Sequence, residues 1–108
     1  MSDKKIARGS ANVFADLGFA DADEMQTKAR LAHAINSIIE ERALTQAKAA
    51  SLLDAAQPKI SALARYKLEG FSVERLMTYL TALDRDVQIV IKKKPRSRAN
   101  GRISVEAA

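Results

Sequence analysis

The chain has 108 residues, 47% of them hydrophobic, which suits one small folded domain with short tails. It has no cysteine and a single histidine, His33, which excludes a disulfide framework, a thiolate zinc site and most histidine-based catalysis. The net charge is +5, and the few aromatic residues (Phe14, Phe19, Phe71, Tyr66, Tyr79) do not suffice for a base-stacking platform. No apolar run approaches the ~20 residues of a membrane span and no signal-peptide core follows Met1, so the expected location is cytoplasmic.

Residues 1–11 are polar or small, with Lys4, Lys5 and Arg8, and are expected to be disordered. A short apolar cluster follows, Val13, Phe14, Leu17 and Phe19, broken by Gly18. It is expected to pack on the domain as one helical turn, a short lid.

The first long helix is expected over about Asp21–Arg42. Asp21, Asp23 and Glu24 favour the positive end of its dipole. Leu31, Ala32, Ile35, Ile38 and Ile39 fall on one apolar face, and His33 lies off it. With no partner ligands in view, His33 reads as an edge residue and not as a metal ligand.

Thr45 suits an N-cap for an alanine-rich helix over Gln46–Leu53. Asp54, Ala55 and Ala56 make a short break. The next helix begins near Gln57 with Pro58 in its first turn, where the missing N–H is harmless, and stops near Tyr66–Gly70. Ser72 caps a further helix ending near Asp84. Its stripe of Val73, Leu76, Met77, Leu80 and Leu83 is amphipathic.

The period then changes. Val87, Ile89 and Ile91 alternate with Gln88, Val90 and Lys92, as in a strand. A lone strand leaves its backbone unpaired, and a second copy of the chain is the simplest partner. Dimerisation is therefore expected through residues 87–91, backed by Leu76, Leu80 and Leu83. The expected organisation is a disordered segment 1–11, a domain 12–91 and a basic flexible tail 92–108.

That tail holds the whole net charge. Residues 1–91 carry 12 basic and 12 acidic side chains, whereas residues 92–108 carry Lys92, Lys93, Lys94, Arg96, Arg98 and Arg102 against Glu106 alone. Such a tail can add sequence-independent attraction to phosphates, or serve as a solvated end.

Two short helices joined by a tight turn on a longer helical support describe a helix-turn-helix. Ala50 stands where only a small side chain allows close approach, and Leu53, Ala55, Ile60 and Leu63 form the expected seam. Gln57, Pro58, Lys59, Ser61, Ala62 and Arg65 are expected to face outward from the second helix. In a major groove, glutamine can pair bidentately with adenine, and lysine or arginine with guanine. Gln57, Lys59, Ser61 and Ala62 are the candidates for base edges, and Gln46, Arg65 and Lys67 for phosphates. No Gly-rich phosphate loop, metal-ligand spacing or nucleophile–histidine pair stands out, so neither an enzyme nor a cofactor or metal is expected.

The run Thr45-Gln46-Ala47, Ala49-Ala50 and Leu52-Leu53, followed by Gln57-Pro58-Lys59-Ile60-Ser61-Ala62-Leu63, resembles Xre-type helix-turn-helix proteins. Asn12-Val13-Phe14, Asp16-Leu17-Gly18, Lys67-Leu68-Glu69-Gly70-Phe71-Ser72 and Leu80 to Val87 narrow the resemblance to the HigA-like antitoxin subgroup. It covers about residues 10–92. It implies a mainly α, lambda-repressor-like bundle of about five helices, with one C-terminal β-strand paired across a homodimer. It also implies a repressor of operator DNA, often encoded beside a RelE/HigB-like ribonuclease toxin. For such a toxin, Asp16, Asp21, Asp23 and Glu24 are the preferred contact surface, with residues 1–20 as a second candidate. A stand-alone Xre-type regulator and a protein-binding helical module without DNA affinity are the alternatives. The chain departs from the pattern at Asp54 and Tyr66, where glycine is usual, and at Ala56, where Ser or Thr usually caps the helix.

Overall fold

The computed structural model describes residues 19–107. They form four helices: α1 (Phe19–Glu41), α2 (Gln46–Leu53), α3 (Gln57–Ala64) and α4 (Val73–Ala82). The expected lid around Phe14 and Leu17, which would be a fifth helical element, lies outside the described residues, as does segment 1–11.

Local chemistry accounts for where the helices start. The Thr45 hydroxyl accepts from the Lys48 N–H at 3.1 Å and the Ser72 hydroxyl from the Arg75 N–H at 3.0 Å. Each satisfies one of the orphan donors of a first turn. Glu74 adds a negative charge at the positive end of α4. By contrast, α3 has Ala56 as its N-cap, without a side-chain acceptor.

All four helices stop in the same way. A left-handed residue follows the last turn: Ala43 (φ 52°), Asp54 (φ 52°), Tyr66 (φ 59°) and Asp84 (φ 66°). Its N–H bonds back three residues, and the next N–H bonds back five: Leu44 to Ile39, Ala55 to Ala50, Lys67 to Ala62 and Arg85 to Leu80, at 2.9–3.0 Å. This is the Schellman arrangement, which satisfies the last carbonyls of a helix and turns the chain sharply. None of the four left-handed residues is glycine, so each bears a steric penalty of about 1–2 kcal/mol. Two of the residues that follow them, Leu44 and Ala55, pack against the core, and that burial helps to hold the turns.

The core is shared among the helices. Leu31, Ala32, Ile35 and Ile38 come from α1, Ala49, Ala50 and Leu53 from α2, and Ile60 and Leu63 from α3. Phe71, Leu76, Tyr79, Leu80 and Leu83 complete it. α1 packs chiefly on α4, and α2 on α3. Ala49 is fully buried, so the small side chains at 49 and 50 let α2 and α3 approach closely. A part-buried polar tie crosses the bundle: Asn36 Nδ2 donates to the Leu63 carbonyl at 3.1 Å. At the far ends of α1 and α4, Arg42 faces Asp84 at 4.0 Å and Arg85 faces Glu41 at 3.9 Å. Exposed pairs of this kind contribute little individually, and here they cross-link two helix ends.

Two expectations about the C-terminal part change. Leu76, Leu80 and Leu83, expected to back a dimer contact, are buried in the chain's own core and are not available as a docking face. The amphipathic stripe of α4 is covered by α1. Residues 85–107 contain no strand among the described residues. Val87 is half-buried against the core, whereas Ile89, Val90 and Ile91 are exposed and find no ladder partner among the described residues. The basic tail does not simply run into solvent either. It turns at residues 96–97, where Lys94 Nζ donates to the Arg98 carbonyl at 2.9 Å. It then returns to α1: Val105 is half-buried against the core, and Arg30 Nη1 lies 3.5 Å from its carbonyl oxygen.

Ala43 is exposed and left-handed, so replacing it with glycine removes strain without removing packing. Ala43→Gly is expected to raise the unfolding free energy by about 1 kcal/mol in urea denaturation. Ala49→Leu, which overfills the α2–α3 seam, is expected to lower it by about 1–3 kcal/mol.

Candidate nucleic-acid interface

The α2–turn–α3 unit derives its geometry from three local devices. Thr45 caps the first helix, and Asp54 takes the left-handed backbone that turns the chain. Pro58 lies in the first turn of α3, where its fixed φ suits a helix start. Leu53, Ile60 and Leu63 are buried and Ala55 half-buried, as the expected seam requires.

With the seam buried, α3 presents its other side. Pro58, Ser61, Ala62 and Arg65 follow i, i+3, i+4, i+7 spacing and share one face. Gln57, Pro58, Lys59, Ala64 and Arg65 are exposed, while Ser61 and Ala62 are half-buried. Gln46 is exposed at the start of α2, and Lys67 is exposed in the loop after α3. Residues 46–70 carry four basic side chains (Lys48, Lys59, Arg65, Lys67) and two acidic ones (Asp54, Glu69), a modest positive surplus on this part of the chain.

Two of the candidate side chains have internal partners. Arg65 Nε donates to the Ser61 carbonyl at 3.3 Å, which lays its guanidinium back along α3. Lys59 Nζ donates to the Gly70 carbonyl at 2.8 Å and lies 4.7 Å from the centre of the Phe71 ring. Phe71 in turn meets Tyr79 edge-on, with centroids 6.2 Å apart. The Lys59 ammonium thus caps an aromatic pair anchored in the core.

Two features escaped the sequence reading. Asn36 falls on the apolar face of α1, four residues after Ala32, and a polar residue on such a face is the signal that was there to be found. The Lys59–Gly70 bond links residues across a loop and had no local signature. His33 is exposed, as expected, and its Nδ1 lies 3.4 Å from the Tyr66 hydroxyl. Among the described residues no helix is long and apolar enough to cross a membrane.

A helix-turn-helix domain family matches residues 13–92. A solved structure bearing the name of an XRE-family transcriptional regulator is 67% identical, with 82% of this chain and 99% of that one covered and a TM-score of 0.78. The chain belongs to the XRE helix-turn-helix family. No curated protein matches it.

Within the XRE framework, the departures at Asp54 and Tyr66 leave the backbone intact. Both residues adopt the left-handed conformation for which glycine is the usual choice. Aspartate tolerates that region better than most side chains, and tyrosine does not. Ala56 is different in kind. It has the extended backbone of an N-cap (φ −69°, ψ 145°) but offers no acceptor to the first turn of α3. Ala56→Ser in this XRE-family chain is therefore expected to stabilise the fold by about 1 kcal/mol, measured as a shift in the urea midpoint at constant slope. An unchanged midpoint would mean that the first turn of α3 is already satisfied by water.

Proposed function

We propose that this chain is a sequence-specific, DNA-binding transcriptional regulator that works as a homodimer with α3 in the major groove. The observation that carries the reading is the outward side of α3, where Gln57, Pro58 and Arg65 are exposed and Ser61 and Ala62 half-buried. Pro58, Ser61 and Ala62 are small or compact, so the helix axis can come close to the base edges. Gln57, exposed at the first helical position, can donate and accept at once and so pair bidentately with adenine. The Ala62 methyl group suits an apolar contact to a thymine methyl, and Ser61 can bond to any base edge it reaches. Gln46, Arg65 and Lys67 flank this face and suit phosphates, which position the protein without reading sequence.

The dimer reading rests on residues 89–91. Three consecutive aliphatic side chains, with Ile91 94% exposed, stand beside an unpaired backbone. Pairing this segment antiparallel with its copy would bury the side chains and satisfy the backbone together. Two recognition helices about 34 Å apart then imply an inverted-repeat operator. An antitoxin role would add a toxin as partner. The acidic start of α1 is the surface for it, where Asp23 is half-buried and Glu24 pairs with Lys28 at 3.3 Å. Asp16 and most of segment 1–20 lie outside the described residues. A stand-alone regulator fits the same fold equally well. A toxin-like reading frame beside the gene, with a product that co-purifies, separates the two.

The test is a gel shift on the gene's own promoter against scrambled DNA. Gln57→Ala is expected to cost about 1–3 kcal/mol on the promoter and to relax preference at one base pair. Arg65→Ala is expected to weaken all sequences alike and to flatten the salt slope by about one unit. Unchanged discrimination in Gln57→Ala would show that the recognition face is misassigned.

For the dimer, sedimentation of the full chain at tens of micromolar is expected to give a dimer, and Ile89→Asp with Ile91→Asp a monomer of equal helicity. A monomeric wild-type chain would overturn the dimer.

A further inference from the structure

Lys59 is placed on the groove-facing helix, and its charge and length suit a guanine. Its ammonium is nonetheless engaged elsewhere. It donates to the Gly70 carbonyl at 2.8 Å and stands 4.7 Å from the Phe71 ring centre, within cation–π range. The two contacts fall on consecutive residues of the loop that joins α3 to α4. Phe71 is buried and meets Tyr79 of α4 edge-on. The loop between carries Arg65, Tyr66 and Lys67, and its own turn is a left-handed Tyr66 with N–H bonds from Tyr66 to Leu63 and from Lys67 to Ala62.

We propose that Lys59 is a positioning residue, a latch that holds the α3–α4 loop and its phosphate-facing side chains against the recognition helix, and not a reader of base edges. The proposal rests on the DNA-binding reading above. A loop strained at Tyr66 needs a tie at its far end, and the Lys59 ammonium supplies one from the first turn of α3. With the latch closed, Arg65 and Lys67 keep a constant relation to Gln57. With it open, the basic side chains lose their register with the groove, and binding falls for every sequence. A base-reading lysine would behave differently: its loss would change preference at one base pair.

Gly70 provides an independent way to open the latch. A Cβ at Gly70 would stand 2.9 Å from Lys59 Nζ, the far end of a flexible side chain, which can move aside. The backbone of Gly70 is outside the left-handed region, so alanine fits there without strain. Gly70→Ala thus displaces the ammonium while keeping its charge on the protein. Lys59→Met removes the charge and keeps the stem, and Lys59→Arg keeps a donor that can reach the same partners.

The experiment has two readouts on the full chain. The first is hydrogen exchange without DNA at the Tyr66, Lys67 and Phe71 amides, with the Ile35 and Leu76 amides as a control for global unfolding. The second is affinity for the gene's promoter and for scrambled DNA across a salt series. The latch predicts faster exchange at the loop amides in Gly70→Ala and Lys59→Met, wild-type exchange at the control amides, and protection restored in Lys59→Arg. It predicts weaker binding of Gly70→Ala to both DNAs, with an unchanged ratio between them and a flatter salt slope, because displaced Arg65 and Lys67 neutralise fewer phosphates. Wild-type loop exchange in both Gly70→Ala and Lys59→Met would overturn the latch. So would wild-type affinity of Gly70→Ala combined with altered base preference in Lys59→Met, which would make Lys59 a reader. If the loop amides respond but the wild-type chain binds neither DNA, the DNA-binding reading fails. The positioning role of Lys59 then fails with it, and the contact is a tie within the fold.

Discussion

The Schellman turn that closes α2 sets the geometry on which the rest of the molecule depends. Asp54 in the left-handed region brings the Ala55 N–H onto the Ala50 carbonyl, and the chain leaves α2 at a sharp angle. That angle sets α3 across α2, and the small side chains of Ala49 and Ala50 let the two helices close on each other. The same device ends α1, α3 and α4, in every case on a residue with a side chain. Four such stops store a few kcal/mol of steric strain. Burial of the core beneath them offsets it, and the arrangement holds because the turns and the packing support one another. Loss of one without the other leaves a turn with no reason to persist.

The surface that this geometry exposes on α3 is poor in hydrogen-bonding groups. Pro58 and Ala62 have none in their side chains, Arg65 is bonded along its own helix, and Lys59 is bonded to the next loop. Gln57 near the helix start and the half-buried Ser61 hydroxyl are left as the donors and acceptors of this face. A face of this type allows close approach but offers few directional contacts. The Lys59–Gly70–Phe71–Tyr79 chain of contacts connects that surface to the core through the loop between α3 and α4.

The C-terminal part follows a separate logic. Residues 1–91 are electrically balanced, and the positive surplus resides beyond them. Six cations in eleven residues repel one another and resist burial, yet Val105 returns to pack on the core and its carbonyl faces Arg30. The basic stretch is thus tethered at both ends and keeps its charges on the surface. Between the tether and α4, residues 89–91 combine exposed aliphatic side chains with a backbone that finds no ladder partner among the described residues.

The amino-acid sequence alone determined the helix starts after Thr45, Ala56 and Ser72 and which face of each helix is apolar, whereas α1 begins earlier than expected, at Phe19, and α3 ends earlier, at Ala64. Thr45, Ser72, Pro58 and Asp54 act through bonds and dihedrals within a few residues, and the i, i+4, i+7 spacing of Leu31, Ile35 and Ile38 or of Leu76, Leu80 and Leu83 follows from helical geometry. Local pattern does not say what covers an apolar face. The tertiary structure decided that α1 covers the α4 stripe, which removes Leu76, Leu80 and Leu83 from any outer surface and leaves Ile89 and Ile91 exposed instead. It likewise decided the roles of Asn36 and Lys59. Lys59 was expected at base edges and Asn36 interrupts an apolar face, yet both bond to carbonyls that only the folding back of the chain brings within reach. Periodicity reports the geometry of one helix, whereas a contact between helices depends on the angle at which the chain turns between them.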